Sequence, residues 1–178
     1  FDVPLVMAIQ TQSSDFVKML LEYAANANVC VLGGGQLPLE AAAQCDNTDM
    51  VKMLLDSGAL VNLGYDMHSR NAHRTALEET VSHGNLKITS LLLEAKANPL
   101  LMSVDNESLK LSQKAMSMGR DDMARHFQVA EQAWTWKWMA KTLIEGKLGR
   151  GFWSRGFHDD YRSYVRFGVD VFSNDGHT

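Results

Sequence analysis

The sequence predicts an all-α protein: a short solenoid of helix-turn-helix units, then a long C-terminal helix and an extended aromatic tail. Three observations carry this. Residues 3–29, VPLVMAIQTQSSDFVKMLLEYAANANV, align without a gap on residues 37–63, LPLEAAAQCDNTDMVKMLLDSGALVNL, at an offset of 34. A fixed period of that size marks stacked supersecondary units that bury their apolar faces against one another. Within the copies, apolar residues recur at i, i+3 and i+4, the spacing of one buried helical stripe. From Asp121 to about Glu145 no helix breaker interrupts the chain.

Each unit can be justified in order. Pro4 and Pro38 open the first helices of units one and two, where a missing N–H costs nothing. The second helices carry Val17, Leu20 and Leu21, then Val51, Leu54 and Leu55, as buried stripes. A third copy, TALEETVSHGNLKITSLLLEAKANP, covers residues 75–99, with Ala76 in the proline position and Ile88, Leu91 and Leu92 as its stripe. A fourth, ESLKLSQKAMSMGRDDMARHF, is degenerate but places Leu109, Ser112, Gly119 and Met123 suitably. A terminal unit must turn a more polar face outward and so drifts from the pattern. The expected boundaries are units at about 3–36, 37–74, 75–106 and 107–128, a Trp-rich helix at 129–146, and a tail at 147–178.

On these residues the chain resembles the ankyrin repeat family. The motif T-P-L-H-x-A stands here as VPLVMA, LPLEAA and TALEET, and the second-helix ending is clearest in MVKMLLDSGALVN. No copy keeps the motif histidine, and only Gly58 and Gly84 hold the usual turn glycines. The resemblance implies a protein-protein interaction module that presents loops and first helices as a recognition surface.

The stretch VCVLGGGQ tests a different idea, a strand followed by a phosphate-binding turn. Counted from Gly33, the third glycine of G-x-G-x-x-G would fall at position 38, which is Pro38, and no Gly-Lys-Ser/Thr follows. The glycines therefore read as the loop between units one and two. No cofactor or small-molecule ligand is expected. His68, His73 and His83 have no zinc-like spacing, and Glu78 and Glu79, adjacent on a helix, point in different directions. No nucleophile has a neighbouring base, so no catalytic or metal site is expected and the protein reads as a non-enzyme.

Composition narrows the partner class. Residues 1–146 carry 12 Lys and Arg against 17 Asp and Glu, whereas residues 147–178 carry 5 against 4. An acidic body and a tail near +1 disfavour nucleic acid, although Arg-Gly-Phe at 150–152 and 155–157 gives an RNA-binding accessory role as the alternative. A regulatory fragment of a larger enzyme is a further alternative. No stretch is long and apolar enough to span a bilayer. Cys30 and Cys45 form neither a metal motif nor a disulfide scaffold, which favours an intracellular, reducing compartment. The start at Phe1 reads as a processed or excised end, and Val6, Met7 and Ile9 place apolar residues where an exposed first unit should be polar. Together these suggest an accessory subunit of a larger, organellar assembly, gripping the soluble side of a photosynthetic or respiratory membrane complex.

Partner contacts are expected in two places. The long connection LGYDMHSRNAHR offers Tyr65, Met67, His68 and Arg70, which combine aromatic, adaptable and charged groups. In the C-terminal helix Met123, Phe127, Ala130, Trp134 and Trp138 form one stripe, while Trp136, Ala140 and Leu143 lie on another face. Tryptophan on two sides requires two things to pack against. Beyond it, Phe152, Trp153, Phe157, Tyr161 and Tyr164 supply further anchors. Val165, Phe167 and Val169 alternate with polar or small residues as a short strand would, suited to pairing with an edge of a partner or, as the alternative, to lying as a strap on the protein's own surface.

Overall fold

A computed structural model of the protein describes residues 3–29, 36–63, 74–101 and 109–144. Among them are eight helices and no strand: α1 Val3–Gln10, α2 Ser14–Glu22, α3 Pro38–Gln44, α4 Thr48–Asp56, α5 Ala76–His83, α6 Leu86–Glu94, α7 Leu111–Ser117 and α8 Asp121–Ile144. The first helices α1, α3, α5 and α7 pack side by side in chain order, and α2, α4 and α6 do the same in a second layer. This all-α solenoid is the predicted class. The connection around Tyr65, the Gly33–Gly35 loop and the tail with its strand pattern at 165–171 lie outside the described residues.

The turn chemistry explains why each unit folds back on itself. Between the two helices of a pair, Gln12, Asp46, Gly84 and Gly119 hold φ of 55°, 58°, 80° and 70° at equivalent positions. In units two and three the residue after the turn caps the next helix: Asn47 Oδ1 accepts from Met50 N–H at 3.1 Å, and Asn85 Oδ1 from Ile88 N–H at 2.9 Å, whereas Ser13 in unit one makes no side-chain cap. Gly84 suits its left-handed φ, and a Cβ there would meet only the movable guanidinium end of Arg120. That guanidinium donates to the Ser82 carbonyl at 2.8 Å and ties the third turn to the fourth.

Asparagines stitch each unit to the next. Asn28 Oδ1 accepts from Leu60 N–H at 2.6 Å while its amide donates to the Gly58 carbonyl at 3.0 Å. One unit on, Asn62 Oδ1 accepts from Asn98 N–H at 2.8 Å and its amide donates to the Lys96 carbonyl at 3.3 Å. These satisfy backbone groups that no helix uses. Where the third unit would place its asparagine stands Leu100, which packs with Leu101 beneath Trp134 of α8. The polar stitch gives way to an apolar seat for the last helix.

A single core runs through the stack from Leu5 and Ile9, by Val17, Met50, Leu54, Leu77, Ile88 and Leu92, to Leu111, Met123 and Phe127. The predicted stripes contribute it: Val17, Val51, Leu54, Ile88 and Leu92 are buried, with Leu20, Leu21, Leu55 and Leu91 half-buried. Of the first-unit residues expected to lie open, Val6 and Ile9 are buried and Met7 alone is exposed. Within the third unit the hydroxyl of Thr89 donates to that of Thr80 at 2.9 Å, which donates to the Leu77 carbonyl at 2.7 Å. A buried polar pair is thereby kept satisfied.

Candidate functional site

Surfaces for a partner are those that stacking does not consume. The inner helices α3 and α5 leave little: Pro38 to Ala43 and Ala76 to Val81 are all buried. Their charges are engaged as well. The motif-histidine position is held by Glu40 and Glu78 in units two and three. Glu40 Oε2 accepts from Leu37 N–H at 3.1 Å. Burial pushes its pKa to about 7; the Leu37 N–H opposes the rise, Glu79 and Glu78 add to it, and Arg74 lowers it. Glu78 pairs with Lys114 of α7 at 2.7 Å, and Glu79 with Arg74 at 3.4 Å. Adjacent in sequence, the two carboxylates thus serve different partners. Of these contacts the Glu78–Lys114 pair joins two first helices, α5 and α7.

Among the described residues, two helices present exposed apolar stripes. On α2, Phe16, Met19 and Tyr23 form an exposed stripe. Phe16 is 43% exposed, whereas its equivalents Met50 and Ile88 are 0% exposed because a preceding unit covers them. The second surface is on α8. Met123, Ala124 and Phe127 are buried against the stack, and Ala130 and Trp134 are half-buried, so the predicted inner stripe is the one that packs. Trp138 has no described side chain. On the other side Val129, Ala133, Trp136 and Ala140 are exposed, Trp136 at 68%. Their alternating spacing of four and three residues is that of a helix-packing seam.

The helix that carries this seam is a single element. α8 runs unbroken for 24 residues, against nine in α4 and α6, so it is both the second helix of the fourth unit and the C-terminal helix. At 1.5 Å per residue it is about 22 Å longer than α4 or α6, and its added part still packs on Leu100 and Leu101 through Trp134. Acidic Asp121 and Asp122 suit its first turn, and Ser90 Oγ lies 3.4 Å from His126 Nε2, linking it to α6.

Trp136 is the one sequence-expected contact residue that the described structure places. Tyr65, Met67, His68, Arg70, Phe152, Trp153, Phe157, Tyr161, Tyr164, Val165, Phe167 and Val169 lie outside the described residues. The sequence did not single out the Phe16, Met19 and Tyr23 stripe, although its spacing of three and four residues was available. Nor did it single out Glu131. That residue is buried on α8, a fact decided by tertiary neighbours rather than by local pattern. Among the described residues no cluster of His, Cys, Asp or Glu could hold a metal ion, and no helix is long and apolar enough to cross a membrane.

Stacked helix pairs, left-handed turn residues at a fixed position and an open helix face define a repeat protein built for binding other proteins. Residues 2–65 match the family model described as ankyrin repeats (3 copies), which supports reading the chain as an ankyrin repeat protein. The matched stretch holds α1 to α4; the left-handed turn recurs beyond it at Gly84, between α5 and α6, and at Gly119, between α7 and α8. No curated protein matches the chain.

Proposed function

We propose that this protein is an accessory structural subunit that docks on a larger protein assembly through the outer face of α8. Its repeats make it a protein-protein interaction module. The observation that carries the finer reading is the open seam of Val129, Ala133, Trp136 and Ala140 on a helix whose opposite side is sealed onto the stack. An exposed tryptophan amid small apolar neighbours is the residue type that dominates interface energetics. The soluble side of an organellar membrane complex in a reducing compartment is the setting proposed, supported by the Trp-rich end and the half-buried free thiol of Cys45. No catalytic role is proposed, since the ankyrin repeat family is in general non-enzymatic.

The test is a double substitution, Val129→Asp with Trp136→Asp, in the full chain returned to its native source. Association with the assembly is expected to fall at least tenfold, because a carboxylate desolvated in an apolar seam costs over 1.4 kcal/mol. The thermal midpoint is expected to stay within a few degrees, both side chains being exposed. Unchanged association would overturn the reading.

A further inference from the structure

Between α8 and the end of the third repeat lies an open groove of about 420 Å³. Leu100 forms its apolar floor, the indole of Trp136 one wall, and Glu131, Gln132, Thr135 and Lys110 its polar lining. Glu131 is the unusual member. Its side chain is only 10% exposed, its Oε1 is out of contact with water, and that oxygen accepts no hydrogen bond among the described residues. The other oxygen has Lys110 Nζ at 4.0 Å, too far for a hydrogen bond, and Lys110 keeps 46% of its side chain in water. The hydroxyl of Thr135 is already committed to the Glu131 backbone carbonyl at 2.8 Å.

A carboxylate taken out of water without hydrogen bonds is expensive, and the expense is recovered only when a donor arrives. The donor must fit between an acidic group and an exposed indole face, beside an aliphatic floor. A guanidinium meets all three demands: it donates to the carboxylate from the side not sealed from water, lies flat on tryptophan and carries an apolar stem. A lysine ammonium is a compact, strongly hydrated charge that stacks less well. Trp136 belongs both to this groove and to the exposed seam, so an occupant here is continuous with a partner on α8.

We propose that the groove receives an arginine side chain of the partner polypeptide, held by Glu131, stacked on Trp136 and seated against Leu100. This rests on the reading of α8 as the docking face and names the chemistry that the partner must present.

The test is an NMR titration of the full chain with acetyl-Leu-Arg-Leu-amide, following the Trp136 indole N–H. The matched probe is the same peptide with citrulline, which has the shape of arginine without its charge. Saturable shifts are expected with the arginine peptide, weaker by about tenfold with citrulline, since a charge-assisted hydrogen bond is replaced by a neutral one. Glu131→Gln is expected to erase the difference between the peptides, and Trp136→Ala, at an exposed position, to weaken both. Equal binding of the two peptides, unchanged discrimination in Glu131→Gln, or no shift at all would overturn the proposal. So would an indole resonance that moves in the unliganded Arg150→Ala, Arg155→Ala chain, which would assign the groove to this chain's own arginines. If the arginine peptide fails but α8 substitutions still release the native assembly, the groove is wrong and the docking face stands.

Discussion

Gln12, Ala24, Asp46 and Lys96 hold φ between 55° and 68° without being glycine. Each such residue carries a steric cost of about 1–2 kcal/mol in the left-handed region. Ala24 is the cleanest test, because Gly58 occupies the equivalent position one unit on, with φ of 83°. Ala24→Gly is expected to raise stability by about 0.5 kcal/mol, the strain relieved less the added freedom of the unfolded chain, measured by denaturant unfolding. Glu40 gives a second residue-scale test. Its pKa rises from 4.5 to about 7 on folding, so between those values the folded chain keeps a proton that the unfolded chain has lost. Stability through this group therefore falls as pH rises across that window and is flat above it. Glu40→Gln keeps an acceptor for the Leu37 N–H; it is expected to stabilise at pH 8 by about 2 kcal/mol and to do little at pH 4. The sequence showed which turns keep glycine; it could not show that other residues adopt the same backbone, because the helices on either side impose it.

At the scale of elements, equivalent positions in different units should respond differently. Phe16 and Met50 align, yet one is 43% exposed at the end of the stack and the other 0% exposed between units. Phe16→Glu is expected to change stability by under about 0.5 kcal/mol and Met50→Glu to cost more than about 3 kcal/mol, read from paired thermal melts. Phe127 anchors α8 in the core, and Phe127→Ala is expected to cost about 3–5 kcal/mol. The helix pairs were legible because the gapless copies and the i, i+3, i+4 stripes are local signals. So was the inward face of α8, from Met123 and Phe127. The groove was not. A glutamate in a helix full of charges reads as solvated, and Glu131 becomes buried only because Leu100 and Lys110 are brought to α8 from elsewhere in the chain. The burial of Pro38 to Ala43 in α3 and of Ala76 to Val81 in α5 was equally hidden, since an Ala-rich helix and a Glu-rich one both read locally as half-exposed.

On the scale of the whole molecule, a linear stack has stability spread along its length, each unit leaning on its neighbours. The asparagine stitches run from unit one to two and from two to three, and α8 closes the far end through Leu100, Leu101 and Trp134. On the proposed reading, a partner at α8 acts on the third and fourth units, which α8 contacts through Leu100, Leu101 and Ser90. The most direct test of α8 as the docking face is cross-linking mass spectrometry on the native material, reading links from Lys110 and Lys137, which flank Trp136 and its groove. Repeated links from both lysines to one other polypeptide are the expected result. Links confined to residues of this chain would contradict the account and make α8 an internal cap.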